Sequence, residues 1–397
     1  MINDALALSK LNCEHSRYCS GCPKIRLVHA KQSADKQKYL ANLFSPLMKK
    51  HQIDLQDLMI SPKLGQYRFS SKLSTHRSNQ GEIAIGLYKK DTKVVLDIAN
   101  CQVHLPPINR LVQKLFRTNV LPFNLYNHQK KSFQTNCLKF ITLRYSPHFD
   151  EFGVVLSHSG ISKSTFIDWI VGAKIGKKIS VYENLLMSDA SNMILSNKTE
   201  HIYGERYLNF QILGREFQLH PATFTQANAD LVDSFTQYIT MDLNGDVLLD
   251  LYGGFGVYST ALHKNFIKIY LVDSAQAAQE SALASIALNK IKNIIFEQKS
   301  CEKFLHNILQ SSERDKISHI IVNPPRAGLT QDVLAKLGKK EWKNLKGFTY
   351  VSCNPETLKR DLEVLTKNSR LKITSIRGFD MFPNTEHLET VVKGVFI

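Results

Sequence analysis

Short apolar runs alternate with amphipathic segments over the carboxyl-terminal half of the chain. From about residue 217, the apolar runs predict strands at 247–252, 267–273, 293–297, 317–323, 349–353, 371–379 and 389–397. The segments between them predict helices at 275–289 and 356–367. This alternation predicts an α/β domain in which a mostly parallel sheet has helices on both faces.

Polar side chains stand where four of these strands end. The four residues are Tyr252, Asp273, Asn323 and Cys353. A parallel sheet binds its ligands beyond the carboxyl ends of its strands, so these side chains should converge. The turn GGFG after Tyr252 lets the backbone approach a ligand, and Asp273 is spaced as an acid that binds ribose hydroxyls. Because GGFG is not GxGxxG, the pattern favours an adenosine-bearing cofactor over a dinucleotide, with a tight strand-to-helix connection as the alternative.

Two prolines follow Asn323 in the run Asn323-Pro324-Pro325-Arg326. Proline restricts the backbone and removes amide donors, so the exit from this strand is stiff. The side chain of Asn323 is then placed to hydrogen-bond a polar edge of a substrate. A purely structural loop is the alternative.

Positive charge is concentrated in the amino-terminal part of the 397-residue chain, whose formal net charge is +16. Residues 1–150 contain 23 basic and 9 acidic residues, a net of +14, whereas residues 151–397 contain 28 and 26, a net of +2. This asymmetry favours a polyanionic partner such as nucleic acid, with solvated lysines as the alternative. No apolar run approaches the roughly 18 residues that span a bilayer, so we expect a cytoplasmic protein without a membrane partner.

Three of the seven cysteines, Cys13, Cys19 and Cys22, crowd near the start of the chain. A Cys-x2-Cys pair lets two thiolates reach one metal, and a third thiolate nearby gives most of a ligand set for zinc or an iron–sulfur cluster. Cys101 follows the apparent strand VVLDIAN and is the best candidate for a fourth ligand. Three free thiols are the structural alternative. The competitors for the fourth place are His15, His104 and Cys137.

Several segments match one enzyme family in the same order along the chain. They are CEHSRYCSGC (13–22), YRFSSK (67–72), IGLYKK (85–90), HPATFTQAN (220–228), DLYGGFG (250–256), VNPPRAGL (322–329), SCNPETLKRDL (352–362) and FDMFPNTEHLET (379–390). With them the chain resembles the iron–sulfur-containing RNA (uracil-5-)-methyltransferases, which use S-adenosylmethionine. The resemblance implies a Rossmann-like methyltransferase domain preceded by a mainly β central domain and an iron–sulfur segment. We divide the chain into the cluster segment with the start of the central domain (1–105), the central RNA-binding domain (106–215) and the catalytic domain (216–397).

The resemblance also implies a role for each matched residue. Cys353 in SCNP would be the nucleophile, and Glu389 in HLE would be the general base. An inert buried thiol and a surface carboxylate are the respective alternatives. The residues implied to contact S-adenosylmethionine are Gln226, Tyr252, Asp273 and Asn323. The residues implied to bind a [4Fe–4S] cluster are Cys13, Cys19, Cys22 and Cys101.

Three positions depart from the family pattern. Val257 stands where some members have a cofactor-contacting Asn, Asp273 where Glu is usual, and Thr225 where an aromatic residue is typical. Asp273 can still accept hydrogen bonds from ribose, but with a shorter reach. These changes bear on cofactor affinity more than on the chemistry.

The implied substrate is a uridine in RNA, and the class of RNA is open. NPPR and FDMFP most resemble the branch that methylates 23S ribosomal RNA, and only 12 residues precede Cys13, so we expect no amino-terminal TRAM barrel. The same reaction on tRNA is the first alternative, and a non-catalytic iron–sulfur RNA-binding protein is the second. A radical enzyme is disfavoured because it would need three cysteines that leave one iron open, whereas a fourth cysteine is present here. We expect a monomer.

Overall fold

Two eight-stranded sheets and a hairpin organise the part of the chain that the computed structural model describes, residues 7–117, 120–130, 133–175, 178–188, 194–195 and 198–397. The helices are α1 (His29–His51), α2 (Pro106–Phe116), α3 (Lys163–Gly172), α4 (Val232–Thr240), α5 (Val257–Leu262), α6 (Gln276–Leu288), α7 (Cys301–Leu309), α8 (Gln331–Leu337) and α9 (Pro355–Asn368). The strands are β1 (Leu55–Met59), β2 (Ser70–Arg77), β3 (Ile83–Tyr88), β4 (Val95–Asp97), β5 (Asn124–Leu125), β6 (Cys137–Ser146), β7 (Glu151–His158), β8 (Ile179–Leu185), β9 (Thr199–Gly204), β10 (Leu208–Ile212), β11 (Arg215–Leu219), β12 (Gly245–Leu251), β13 (Phe266–Asp273), β14 (Ile294–Gln298), β15 (Ile317–Val322), β16 (Gly347–Ser352), β17 (Leu371–Phe379) and β18 (Glu389–Phe396).

The carboxyl-terminal sheet has the strand order β1-β17-β18-β16-β15-β12-β13-β14. Its strands from β12 to β16 pair in parallel, and β18 runs antiparallel between β16 and β17. The central strands β12 and β15 are almost wholly buried, as expected of parallel strands that are covered on both faces. The prediction of an α/β domain with a mostly parallel sheet is therefore confirmed, with one antiparallel strand that makes the sheet mixed.

Helices cover both faces of this sheet. One core combines the sheet with apolar residues of α1, α7, α8 and α9, and another combines it with α4, α5 and α6. Helix α9 begins where Asn354 accepts a hydrogen bond from the backbone N–H of Glu356, and Pro355 occupies the first turn. None of the helices in the described part of the chain is long and apolar enough to cross a membrane.

The segment from α1 to β1 belongs to the carboxyl-terminal sheet, although it precedes the central domain in the chain. Strand β1 pairs in parallel with β17 at the edge of the sheet, with Leu55 opposite Ile376. Leu40 and Phe44 of α1 are fully buried in the core of the same sheet. The sequence-based division placed these residues in the cluster segment, because nothing in a short run such as LQDLM reveals a partner strand so far along the chain.

The central domain is built on the second sheet, in the order β4-β3-β2-β6-β7-β8-β9, with β5 paired to β6. Most of its strand pairs are antiparallel, and α2 and α3 pack on it through a separate apolar core. A fourth core joins this domain to the catalytic sheet through Phe69, Phe210, Phe217 and Phe255. Tyr67 and Phe69 are buried, so these aromatic residues of the amino-terminal half are core residues rather than exposed stacking surfaces.

Candidate active site

A left-handed turn follows β12 and presents backbone at the edge of the sheet. Tyr252, Gly254 and Gly256 have φ angles of 57°, 57° and 82°. A Cβ at Gly254 would meet no atom within 4 Å, so the turn borders open space at that residue. The ring of Tyr252 is partly buried and packs against the apolar core that contains Cys301. A ligand can therefore approach the backbone closely at this turn.

Asp273 lies at the end of β13 and is tied to that turn. Its Oδ2 accepts a hydrogen bond from the N–H of Gly254 at 2.9 Å, and its Oδ1 accepts one from the N–H of Ala275 at 2.9 Å. A carboxylate oxygen can accept more than one hydrogen bond, so each keeps capacity for a ligand hydroxyl. The two backbone donors hold the carboxylate in one orientation beside the glycine turn.

The side chain of Asp250 lies against the turn at Gly253, and sequence patterns did not indicate a role for it. Its side chain is fully buried, and its Oδ2 accepts hydrogen bonds from the hydroxyl of Ser259 at 2.6 Å and from the backbone N–H of Ser259 at 3.2 Å. Burial raises the pKa of Asp250 to about 7, and the nearby charge of Asp273 acts in the same direction. The available signal was one acidic residue within the otherwise apolar strand VLLDL.

The ends of β12, β13, β15 and β16 lie side by side because these strands are parallel neighbours. Asn323 follows β15, and its N–H donates to the carbonyl oxygen of Leu251 at 3.2 Å. Cys353 follows β16. The structure therefore brings Tyr252, Asp273, Asn323 and Cys353 to one edge of the sheet, as their positions at strand ends predicted.

Glu389 is adjacent to Cys353 because β16 and β18 are antiparallel. Ser352 stands opposite Thr390, so Cys353, which follows Ser352, faces Glu389, which precedes Thr390. The charge of Glu389 acts on Cys353: burial raises the pKa of the Cys353 thiol, Glu389 raises it further, and the charge of Arg326 lowers it. The thiol is thus subject to the opposite charges of a carboxylate and a guanidinium.

Glu389 is 2% exposed, and its Oε2 has no hydrogen-bond partner among the described residues. Burial raises the pKa of Glu389 to about 8, and the nearby amide of Gln226 and the charge of Arg326 only partly offset that rise. The side chain of Gln226, implied by resemblance to contact the cofactor, is thus placed against the acid.

Two adjoining cavities lie at this site. The first, of about 550 Å³, contains Cys353 and is bordered by Lys24, Lys36 and Tyr39. The second, of about 420 Å³, contains Gln226. Arg326, Thr385 and His387 line both cavities, which therefore adjoin each other. The second cavity is also lined by Arg68, Lys72, Arg144 and Phe224.

The four cysteines implied as cluster ligands, Cys13, Cys19, Cys22 and Cys101, line one small cavity near the second of these openings. Its remaining wall is largely apolar and includes Leu11, Ile25 and Ile98. Burial raises the pKa of Cys22 to about 12, with smaller contributions from the other three thiols. Within the described ranges, no three His, Cys, Asp or Glu side chains are grouped closely enough to hold a single metal ion.

Comparisons with known proteins cover nearly the whole chain. The sequence model of the tRNA (uracil-5-)-methyltransferase family matches residues 28–397. An RNA methyltransferase of Thermotoga maritima is 26% identical over 388 residues, which is 96% of this chain and 83% of that protein. An RNA methyltransferase of Prochlorococcus marinus is 27% identical over 390 residues, which is 96% of this chain and 90% of that protein.

A solved structure shares the fold. The Pyrococcus abyssi tRNA (uracil-54, C5)-methyltransferase in complex with S-adenosyl-L-homocysteine superposes with a TM-score of 0.72 at 24% identity, over 95% of this chain and 86% of that chain. The family match extends over both sheets and over the strand ends that carry Cys353 and Glu389. The chain therefore belongs to the tRNA (uracil-5-)-methyltransferase family and is an S-adenosylmethionine-dependent RNA methyltransferase.

Proposed function

We propose that the protein methylates C5 of a uridine in 23S ribosomal RNA, with Cys353 as the nucleophile and Glu389 as the general base. The observation that carries this proposal is the adjacency of the two residues across β16 and β18. The Cys353 thiol is accessible from an open cavity, and one oxygen of Glu389 has no partner among the described residues. A nucleophile and a proton acceptor are thus held side by side.

Cys353 begins the reaction by adding to the uracil ring. C5 of uracil is a poor nucleophile, so the ring must first be activated. The thiolate forms a bond to C6, and the electron pair of the C5–C6 double bond moves toward the C4 oxygen as an enolate. The positive charge of Arg326 lowers the pKa of the thiol and can also balance the developing enolate.

When bound, S-adenosylmethionine would supply an electrophilic methyl group: the bond from C5 to the methyl carbon would form as the bond from that carbon to the sulfonium breaks, which would leave S-adenosylhomocysteine. The residues present suit such a ligand: the turn at Gly254 borders open space, and Asp273 keeps acceptor capacity for ribose hydroxyls. Tyr252 and Asn323 would complete the binding site at the neighbouring strand ends. Asp273 and the turn position each other through the bond between Oδ2 and the N–H of Gly254.

Glu389 completes the reaction by removing the proton from C5. The electrons of the C5–H bond re-form the C5–C6 double bond, and the Cys353 thiolate leaves C6. The proton passes to Glu389 and then to solvent. A carboxylate whose pKa is raised to about 8 is a much stronger base than an exposed glutamate, which suits removal of a carbon-bound proton near neutral pH.

We further propose that Cys13, Cys19, Cys22 and Cys101 bind a [4Fe–4S] cluster. An iron–sulfur cluster holds its thiolates farther apart than a single metal ion does. The four thiols line one small cavity, and the resemblance of CEHSRYCSGC to the iron–sulfur members of the family supports a cluster there. Methyl transfer moves no net electrons, so we assign the cluster a structural role at the side of the second cavity.

RNA is the substrate class of the family, and the two cavities provide a basic surface for it. Arg68, Lys72, Lys24 and Arg326 contribute positive charge around the openings. The target base must leave its stack to reach Cys353, which costs least in a loop or single strand. The likeness of VNPPRAGL and FDMFPNTEHLET to the 23S ribosomal RNA branch supports 23S rRNA as the substrate. The likeness of the fold to the Pyrococcus abyssi tRNA enzyme supports tRNA as the alternative substrate.

The test is a methyl-transfer assay with anaerobically purified protein and tritiated S-adenosylmethionine. Unmodified large-subunit rRNA and tRNA transcripts are assayed separately, and the labelled nucleoside is identified after digestion. Label in 5-methyluridine of rRNA is the expected result. Label in tRNA alone would replace the proposed substrate by the second candidate. Absence of label in both RNAs, with cofactor still bound, would refute the catalytic proposal and favour a non-catalytic RNA-binding protein.

A further inference from the structure

Arg144 is a buried arginine that belongs to the central sheet but reaches the catalytic domain. It lies on β6, where it pairs with Ser70 of β2, and its side chain is 4% exposed. None of the ion pairs formed among the described residues includes Arg144. Burying a guanidinium without a counter-charge costs free energy. We therefore expect the N–H donors of Arg144 to make specific hydrogen bonds.

The donors of Arg144 hold one short segment of the catalytic domain. Its Nη1 donates to the hydroxyl oxygen of Thr225 at 2.7 Å, and its Nη2 donates to the carbonyl oxygen of Thr223. The Thr223 hydroxyl in turn donates to the carbonyl oxygen of Ala277 on α6 at 2.7 Å. The segment from Thr223 to Thr225 is thereby fixed between the central sheet and a helix of the catalytic domain.

Gln226 directly follows this segment, and its side chain lies near enough to Glu389 to lower the pKa of that acid. On the far side of Gln226, the carbonyl oxygen of Ala227 accepts a hydrogen bond from the N–H of Phe69 at 3.2 Å. Both flanks of Gln226 are therefore anchored to the central domain. The orientation of the amide against the buried carboxylate depends on that anchoring.

We propose that Arg144 is a positioning residue. It fixes Thr225, so that Gln226 lies against Glu389 and the Glu389 carboxylate is held ready to accept the C5 proton. This inference rests on the proposed role of Glu389. It makes the central domain part of the catalytic arrangement, in addition to any contact it makes with RNA.

The experiment compares Thr225→Val with Thr225→Ser and Arg144→Lys in the full chain. Valine removes the oxygen that accepts from Arg144, whereas serine keeps it. We expect Thr225→Val to lower kcat about tenfold, with KM for RNA changed by less than about twofold, and Thr225→Ser to retain wild-type kcat. Arg144→Lys, which cannot donate to both threonines in the same way, should resemble Thr225→Val.

The pH profile separates positioning from a general loss of structure. Moving the Gln226 amide away from Glu389 would raise the pKa of Glu389, so the acidic limb of the kcat profile should move to higher pH in Thr225→Val but not in Thr225→Ser. Ser146→Ala is the matched control, because Ser146 lies two residues further along β6 and its buried hydroxyl has no hydrogen-bond partner among the described residues. It should leave the profile unchanged.

Two results would overturn the inference while leaving the proposed function intact. One is an active wild-type enzyme whose Thr225→Val variant loses thermal stability but keeps kcat and the pH profile at a permissive temperature. The other is an effect confined to KM for RNA, which would make Arg144 part of the RNA-binding surface. Inactivity of the wild type on both RNAs would instead refute the proposed function itself.

Discussion

Lys36 and Asp380 form a buried ion pair, with 2.6 Å between Nζ and Oδ1. The Lys36 ammonium also donates to the carbonyl oxygen of Phe382 at 3.1 Å, and the N–H of Asp380 donates to the carbonyl oxygen of Met59 at 2.8 Å. These bonds attach α1 and β1 to the segment that runs from the end of β17 to Glu389. The amino-terminal helix therefore helps to place the proposed base.

Loss of one partner of this pair should destabilise the fold strongly. Lys36→Met leaves the carboxylate of Asp380 buried without its cation, and we expect the free energy of unfolding to fall by about 3–5 kcal/mol in urea titrations. The double variant Lys36→Met with Asp380→Leu removes both charges and should recover most of that loss. A double variant as unstable as the single one would show that the charge pair is not the source of the effect.

Removal of the proposed nucleophile should abolish methylation without unfolding the protein. Cys353→Ala should lower the rate by at least about 1,000-fold, because uracil C5 is not activated without the bond to C6. Cofactor binding, measured by calorimetry, should persist. Cys137→Ala is the control, since that thiol is buried in the central domain and donates to the carbonyl oxygen of Thr135. Substantial activity in Cys353→Ala would exclude the covalent mechanism.

Replacement of the base should trap the covalent adduct. In Glu389→Gln, Cys353 can still add to C6 and C5 can still be methylated, but no carboxylate removes the C5 proton, so the thiolate cannot leave. Labelled RNA should therefore remain attached to the protein on a denaturing gel, and release of product should fall by about 100-fold or more. Rapid turnover without a retained adduct would assign proton removal to another group.

Glu389 also gives stability a defined pH dependence. Its pKa is raised from 4.5 to about 8 in the folded protein, so the folded state retains a proton that the unfolded state releases. Stability contributed by the protonated acid is present below about pH 4.5 and is lost as the pH rises through 8. The neutral amide of Glu389→Gln avoids that loss, and the variant should exceed the wild type by more than about 1 kcal/mol at pH 9. Urea titrations of both proteins at pH 5 and pH 9 measure the difference, and a difference independent of pH would contradict the assignment.

Substitution of one proposed cluster ligand should remove iron and lower stability together. Cys22→Ser, purified anaerobically, should lose most of its bound iron and sulfide, and its unfolding temperature should fall by about 5 °C or more, because binding energy at such a site is folding energy. Cys353→Ala should keep the wild-type iron content. If wild-type protein reconstituted with iron and sulfide binds neither, the cluster proposal is wrong.

Part of the site could be predicted from the sequence because strand ends are local features. Alternating apolar runs located β12, β13, β15 and β16, and parallel pairing then placed Tyr252, Asp273, Asn323 and Cys353 together. The antiparallel position of β18 between β16 and β17 depends on long-range pairing that periodicity does not encode. Only the family resemblance pointed to Glu389, and the assignment of these residues' catalytic and binding roles stays a prediction.

Other features depend on partners that are distant in the chain. A lysine such as Lys36 within a helix normally indicates a solvated face, and only the fold buries it against Asp380. Arg144 occurs in a basic segment, which suggests a contact with phosphate. In the structure its guanidinium instead donates hydrogen bonds to Thr223 and Thr225. Composition and spacing could not distinguish these uses, because both are decided by which segments the fold brings together.

The pairing of β1 with β17 has a consequence for how the protein is made. Arg377 donates to the carbonyl oxygen of Asp57 across 320 positions of the chain. During synthesis α1 and β1 leave the ribosome long before the strand that receives them is translated. The apolar face of α1 must therefore remain exposed, or be bound by a chaperone, while the central domain is completed. We expect nascent chains that stop before β17 to protect the central sheet from proteolysis and to leave α1 open to cleavage.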